Sequence, residues 1–189
     1  MKIISFDVGI RNLAYVVIDV DETNINAHQI IEWDVLELCD KNVKACNVDN
    51  ITIGINMMNL LNVILEKHEI NMIIIENQIG QNAIKMKTVQ GMLNMYFITK
   101  GFDNSNIVNY NAVHKLKRFL GSKKTTYNER KKLSKVITLE LCKIYYKDYV
   151  DYFKSYKKKD DLADCLLQCI DYMYKNKWVD DDFYTNIEF

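Results

Sequence analysis

The first stretch of the chain constrains it most. Ile3-Ile-Ser-Phe-Asp7-Val-Gly9-Ile-Arg-Asn12-Leu-Ala-Tyr-Val-Val-Ile-Asp19 sets two apolar runs about a short polar centre, and a carboxylate closes the first run. The pattern predicts antiparallel strands over 2–8 and 13–20, with Gly9 supplying a positive φ at the reversal. Asp7 is out of place in so apolar a run. A carboxylate there must be ionised against a partner, held neutral or reserved for a cation.

Residues 28–36 read as a third antiparallel strand. Asp49 and Asn50 are N-cap candidates for a helix reaching about His68, whose Ile55, Met58, Leu61 and Leu65 recur at helical spacing. Met72-Ile-Ile-Ile75 is wholly apolar, as in a strand buried on both faces, and it ends at Glu76. A Met-rich helix over 82–100, read as core with a partner interface as the second reading, precedes a strand over 107–110. A helical turn within 111–127, a helix from about 128 to 146, a Lys/Tyr-rich connection and a last helix over 160–175 follow. The order β-β-β-α-β-α-β-α-α predicts an α/β fold: a mixed five-stranded sheet, a three-strand antiparallel meander plus two parallel strands, with helices on both faces. No repeat, linker or composition break divides the 189 residues, so one domain over 1–189 is expected. Residues from about 176 to 189, with Asp180-Asp-Asp182, read as a solvated acidic tail.

At 49% apolar and 26% charged residues the chain reads as globular. Its five cysteines form no C-x-x-C pair, and an odd count without a leader suits reduced thiols in an intracellular protein. Cys165 and Cys169 read as core rather than zinc ligands. No apolar run reaches the roughly 18 residues needed to cross a bilayer, so no membrane partner is expected. His28, His68 and His114 are scattered and read as structural. No Ser-His-Asp set, Walker loop or G-x-G-x-x-G occurs, and with only 6 Gly no nucleotide cofactor is expected.

Three places put acids at the margins of apolar elements: Asp7, Glu76, and the pair Asp161 and Asp164 at the start of the last helix. Asp161 also suits a helix N-terminus through the macrodipole, and Asp164 a solvated flank. Glu76, directly after three isoleucines, has no such explanation. Gathered together, four acids raise one another's pKa unless a cation compensates, and hard oxygen ligands suit Mg²⁺ or Mn²⁺. Two such ions can clamp an in-line attack on a phosphodiester.

Phe6-Asp7-Val-Gly9-Ile-Arg-Asn12-Leu-Ala14, Ile74-Ile-Glu76-Asn-Gln78 and Asp161-Leu-Ala-Asp164 together resemble the RNase H-like superfamily. Within it they are most similar to the RuvC-like Holliday junction resolvases of the poxvirus branch, which are related to the mitochondrial resolvases. The likeness covers almost the whole chain. It implies a homodimeric, metal-dependent endonuclease that cuts opposed strands of a four-way junction, with Asp7, Glu76, Asp161 and Asp164 on two Mg²⁺ ions. It also implies a lysine at the scissile phosphate. Lys131 is favoured, with Lys132, Lys115 and Lys117 as alternatives. The role implied is resolution of branched or concatemeric genomes, in host cytoplasm if the source is a poxvirus. The alternatives are an RNase H-like enzyme cutting RNA–DNA hybrids or flaps, and a silent junction-binding module. The D-x-G turn also resembles the first phosphate loop of actin-like ATPases, which need more glycine-rich loops than this chain holds.

The net formal charge is zero, but it is unevenly spread. Lys115, Lys117, Arg118, Lys123, Lys124, Arg130, Lys131, Lys132 and Lys135 face one acid, Glu129, within 21 residues. Lys154 and Lys157-Lys158-Lys159 form a second cluster before the last helix. A solvated helix face accounts for such a run. Beside the acids, though, it suits the backbone of branched DNA, recognised by shape.

Overall fold

A five-stranded sheet in the order β3-β2-β1-β4-β5 runs through the computed structural model. The structure describes residues 1–21, 24, 27–40, 42–44, 47–80, 83–111, 113, 115–121, 125–179 and 187. The strands are β1 (Lys2–Asp7), β2 (Asn12–Val20), β3 (His28–Glu37), β4 (Met72–Glu76) and β5 (Ile107–Tyr110). β1, β2 and β3 form the antiparallel meander, and β4 and β5 run parallel to β1. The expected mixed sheet, a three-strand antiparallel meander plus two parallel strands, is therefore the one observed.

The helices are α1 (Asn50–Lys67), α2 (Ile84–Thr99), α3 (Lys117–Leu120), α4 (Tyr127–Tyr145), α5 (Val150–Ser155) and α6 (Lys159–Lys175). α1 starts where its cap predicts, with the Asp49 carboxylate accepting from the Thr52 amide at 2.8 Å. α4 begins in a capping box between Thr126 and Glu129. The Lys/Tyr-rich connection is not a loop. It holds a 3-10 turn over Lys147–Tyr149 and then α5. Its rings explain the difference: Phe153 stacks on Trp33 at 5.4 Å, with Tyr149 and Tyr152 against the same indole.

Alternation along the strands assigns two cores. Ile4, Phe6, Ile73 and Ile75 face α1 and α2, whereas Ile3 and Ile74 join α4, α5 and α6 on the other side. Cys165 and Cys169 lie wholly within the second core. The tail differs from expectation, because Val179 and Ile187 are buried in that core and Trp178 packs on Tyr172. Asp180, Asp181 and Asp182 lie outside the described residues.

Gly9 also differs. It is absent from the positive-φ glycines, which are Gly80, Gly101 and Gly121 among the described residues. Its constraint is steric, since a Cβ there would stand 2.2 Å from the Asn12 carbonyl oxygen. Opposite Asp7 in the β1–β2 register stands Ala14.

Candidate functional site

Parallel pairing decides where the acids meet. Phe6 lies opposite Ile75, so the next residues, Asp7 and Glu76, end β1 and β4 side by side. Each is one step beyond a residue facing α1 and α2, so both turn toward α6. α6 crosses β1 and β2 on that face. A buried amide fixes its register: Gln168 Nε2 donates to Ser5 Oγ at 3.0 Å and to the Phe6 carbonyl at 3.1 Å. One turn earlier on α6, Asp164 faces the strand ends. At the start of the helix the Trp33 indole N–H donates to the Leu162 carbonyl at 3.1 Å.

Asp7, Glu76 and Asp164 thus form one electrostatic unit. Burial pushes the Asp7 carboxyl well above its ordinary range, and the charges of Glu76 and Asp164 push it further. A hydrogen bond with the Glu76 carboxyl acts in the same direction. Asp164 is also raised by burial, against the pull of Lys115. The Lys115 ammonium stands 2.9 Å from Asp164 and is largely buried. Burial draws its pKa down, but Asp164, Asp7 and Glu76 outweigh that and hold it above the ordinary lysine value.

Asp161 stands slightly apart. Burial and the neighbouring Asp160 raise its pKa, while Lys158 at 3.8 Å and a hydrogen bond from the Asn12 amide oppose them. Asn12 therefore anchors Asp161.

Lys131, the favoured lysine, donates to Asp160 at 2.9 Å. Asp160 is held below its ordinary pKa by that ammonium despite its own burial. The lysine that reaches the acids is Lys115. A positional signal was available, because residues after β5 emerge at the edge where β1 and β4 also end.

The remaining basic residues divide. Lys117, Arg130, Lys132, Lys157 and Lys158 are exposed, and Lys135 and Lys159 half-buried. Arg130 donates to the Thr125 carbonyl at 2.8 Å. Arg118 turns toward buried Asp171 and the Tyr174 ring. Lys123 and Lys124, like His114, lie outside the described residues. The N-termini of α4 and α6 thus place a lysine-rich surface beside the acids.

Among the described residues, no three acidic, histidine or cysteine side chains already surround one point at ion-binding spacing. The donor set nevertheless fits a hard cation. It consists of carboxylate oxygens alone, its charge exceeds what Lys115 neutralises, and Lys115 sits on Asp164 as a monovalent cation in their midst. Asp7, Glu76 and Asp164 are the residues that could hold such an ion, with Asp161 at their edge. No described helix is long and apolar enough to cross a membrane.

Among curated proteins, no sequence matches the chain significantly. Solved structures match at high coverage. The fowlpox virus resolvase, solved with a substrate Holliday junction, is 23% identical at a TM-score of 0.62, over 93% of this chain and 99% of its own. Thermus thermophilus RuvC, also solved with a Holliday junction substrate, is 14% identical at 0.62, over 93% and 96%. The yeast mitochondrial Holliday junction resolvase is 16% identical at 0.66, over 97% and 83%. Identities this low establish the RuvC-type, RNase H-like fold. The family itself follows from a sequence model, that of the poxvirus A22 protein, which matches residues 1–176 and so spans every strand and helix described above. The chain belongs to the poxvirus A22 protein family.

Proposed function

We propose that the chain is a divalent-metal-dependent endonuclease that cleaves four-way DNA junctions. The observation that carries this reading is the convergence of Asp7, Glu76 and Asp164 around Lys115 at the edge where three parallel strands end. The fowlpox and Thermus structures, whose fold this chain shares, hold Holliday junction DNA, which supports the choice of substrate.

Asp7, Glu76, Asp164 and Asp161 are the ligands for Mg²⁺ or Mn²⁺. Bound there, the ions supply Lewis-acid polarisation of the phosphodiester and an acidified attacking water. The chain does the rest. Ionised Asp7 and Glu76 define the edge against which the phosphate is presented. Lys115 offers its ammonium to a non-bridging phosphate oxygen. Asn12 keeps Asp161 oriented on the rim. Lys131, Lys132 and Lys135 on α4, with Lys157 and Lys158 before α6, bind the flanking backbone, so selectivity rests on DNA shape.

Two opposed strands require two acid clusters, and the described residues of each chain form one. A homodimer is therefore part of the proposal. The apolar groove between α1 and α2, lined by Ile51, Gly54, Ile55, Met58 and Met92, is the surface assigned to the second copy. The biological role would be resolution of branched or concatemeric viral DNA in the infected cell's cytoplasm.

The test is cleavage of a labelled four-way junction with Mg²⁺ or Mn²⁺ against EDTA, beside an RNA–DNA hybrid of the same length. Paired symmetric nicks that vanish with EDTA are expected. Asp7→Asn should lose at least about 10²-fold in rate while keeping junction affinity, since binding rests on the lysines. Preferential cutting of the hybrid, or nicking that survives EDTA, would refute the proposal.

A further inference from the structure

One buried acid on α6 lies outside the converging cluster. Asp171 is 2% exposed and lies two turns beyond Asp164 on the same face of α6. Its Oδ2 accepts from the Tyr110 hydroxyl and from Lys175 Nζ at 2.9 Å, and Arg118 Nε stands 3.7 Å from Oδ1. The Arg118 guanidinium also lies on the Tyr174 ring. A buried carboxylate is costly unless paired, so this site is built around its cations. What it joins is informative. Tyr110 ends β5, Arg118 belongs to α3, and the short segment between them carries Lys115.

Two cations on the chain after β5 face two acids on α6. Lys115 and Arg118 are three residues apart on one side, and Asp164 and Asp171 seven apart on α6. Each cation meets one acid. Lys115 reaches Asp164 across the active edge, and Arg118 reaches Asp171 in the interior. We infer that Asp171, acting through Arg118, is a positioning residue that sets where the Lys115 ammonium stands against Asp7, Glu76 and Asp164. The inference deepens the lysine assignment made above and rests on it. It also takes Arg118 out of the DNA-backbone set.

The experiment is a double-mutant cycle in the full-length protein. Arg118→Gln leaves Asp171 bonded to Tyr110 and Lys175, so it spares the fold where Asp171→Asn could unfold it. Arg118→Gln should slow single-turnover junction cleavage about 10- to 100-fold at saturating DNA, because a small misplacement of a catalytic group costs that much. Junction Kd should stay within about twofold. On a Lys115→Ala background Arg118→Gln should cost nothing more, since the group it positions is gone. Arg118→Lys should recover part of the loss. Additive effects in the cycle, or an unchanged rate in Arg118→Gln, would overturn the inference. A crystal structure of Arg118→Gln decides independently of activity. Lys115 displaced from Asp164 is expected, and Lys115 still in contact would refute the link. If Lys115→Ala cleaves at the wild-type rate, the lysine assignment falls, while this structure still decides what places Lys115.

Discussion

Gln168→Leu separates packing from polarity at the joint between α6 and β1. Gln168 is 1% exposed and donates two hydrogen bonds, at 3.0 and 3.1 Å, to Ser5 Oγ and the Phe6 carbonyl. Leucine keeps most of the volume and removes both. Two lost bonds are worth about 1 kcal/mol each, and a buried acceptor left unsatisfied adds about 1–3 kcal/mol. Ser5 can rotate and leucine sheds the desolvation of an amide, so the net cost should be about 2–4 kcal/mol. For a chain of this size 1 kcal/mol moves Tm by about 2–4 °C, giving a fall of roughly 5–15 °C in a thermal melt. Phe6 precedes Asp7, and Gln168 lies one turn from Asp164. The variant should therefore also slow cleavage at a temperature where it remains folded. A Tm within about 2 °C of wild type would show that shape alone holds α6 on the sheet.

Three further outcomes are expected. Asp7 and Asp164 have folded pKa values above the ordinary 3.8, so the folded state binds more protons, and ion-free stability should fall as pH rises from about 4 through those raised values. Added Mg²⁺ at about 100 times its Kd should raise Tm by roughly 5–10 °C at pH 8 and by less at pH 5, because ligation needs the ionised acids. An equal gain at both pH values in differential scanning fluorimetry would argue against the acid cluster as the ion site. Junction binding should weaken steeply with salt, and Lys132→Ala should lower the slope of log K against log[salt] by about one, read by fluorescence anisotropy. Ile55→Glu on α1 should shift the mass in light scattering from dimer to monomer while leaving the thermal melt within a few degrees, since Ile55 is 50% exposed.

The sheet was legible because its strands differ in kind. β1 and β2 are apolar runs about a polar reversal, and β4 is an unbroken isoleucine run closed by an acid. Asp7, Glu76 and Asp164 were legible for the same reason, as acids where alternation or helical period called for something apolar. Lys115 was harder to single out. It sits in a run of nine basic residues, and charge alone does not say which of them turns inward. Leu116, buried beside it, is the trace of that turn in the sequence. α5 stayed hidden because its six residues are too short to show a period, and Trp33, far away in the chain, gives its rings a surface. Gln168 and Asp171 carry a subtler signal. Each is polar on a helix face otherwise filled by Leu162, Cys165, Leu166 and Cys169, and such a residue needs a partner on whatever that face covers.

The charge balance of the cluster orders its acids. Asp7, Glu76 and Asp164 carry three negative charges when ionised, and Lys115 returns one, leaving two. Burial and that excess push the pKa values of Asp7 and Asp164 up, which favours the uptake of protons in the ion-free protein. A divalent cation supplies the same two charges without the protons. Asp161 lies outside this account. Beyond burial, the groups that act on it most are Asp160, Lys158, Asn12 and Lys131, all at the helix start or beside it. The first ion's affinity should therefore depend on the three converging acids and little on Asp161. In a calorimetric Mg²⁺ titration, Asp7→Asn should weaken that binding step about tenfold or more, a change of about 1.4 kcal/mol, and Asp161→Asn by only a few fold. If Asp161→Asn instead removes the first step outright, the ion sits at the helix start rather than between the strand ends, and the assignment of Asp7 and Glu76 as its principal ligands is wrong.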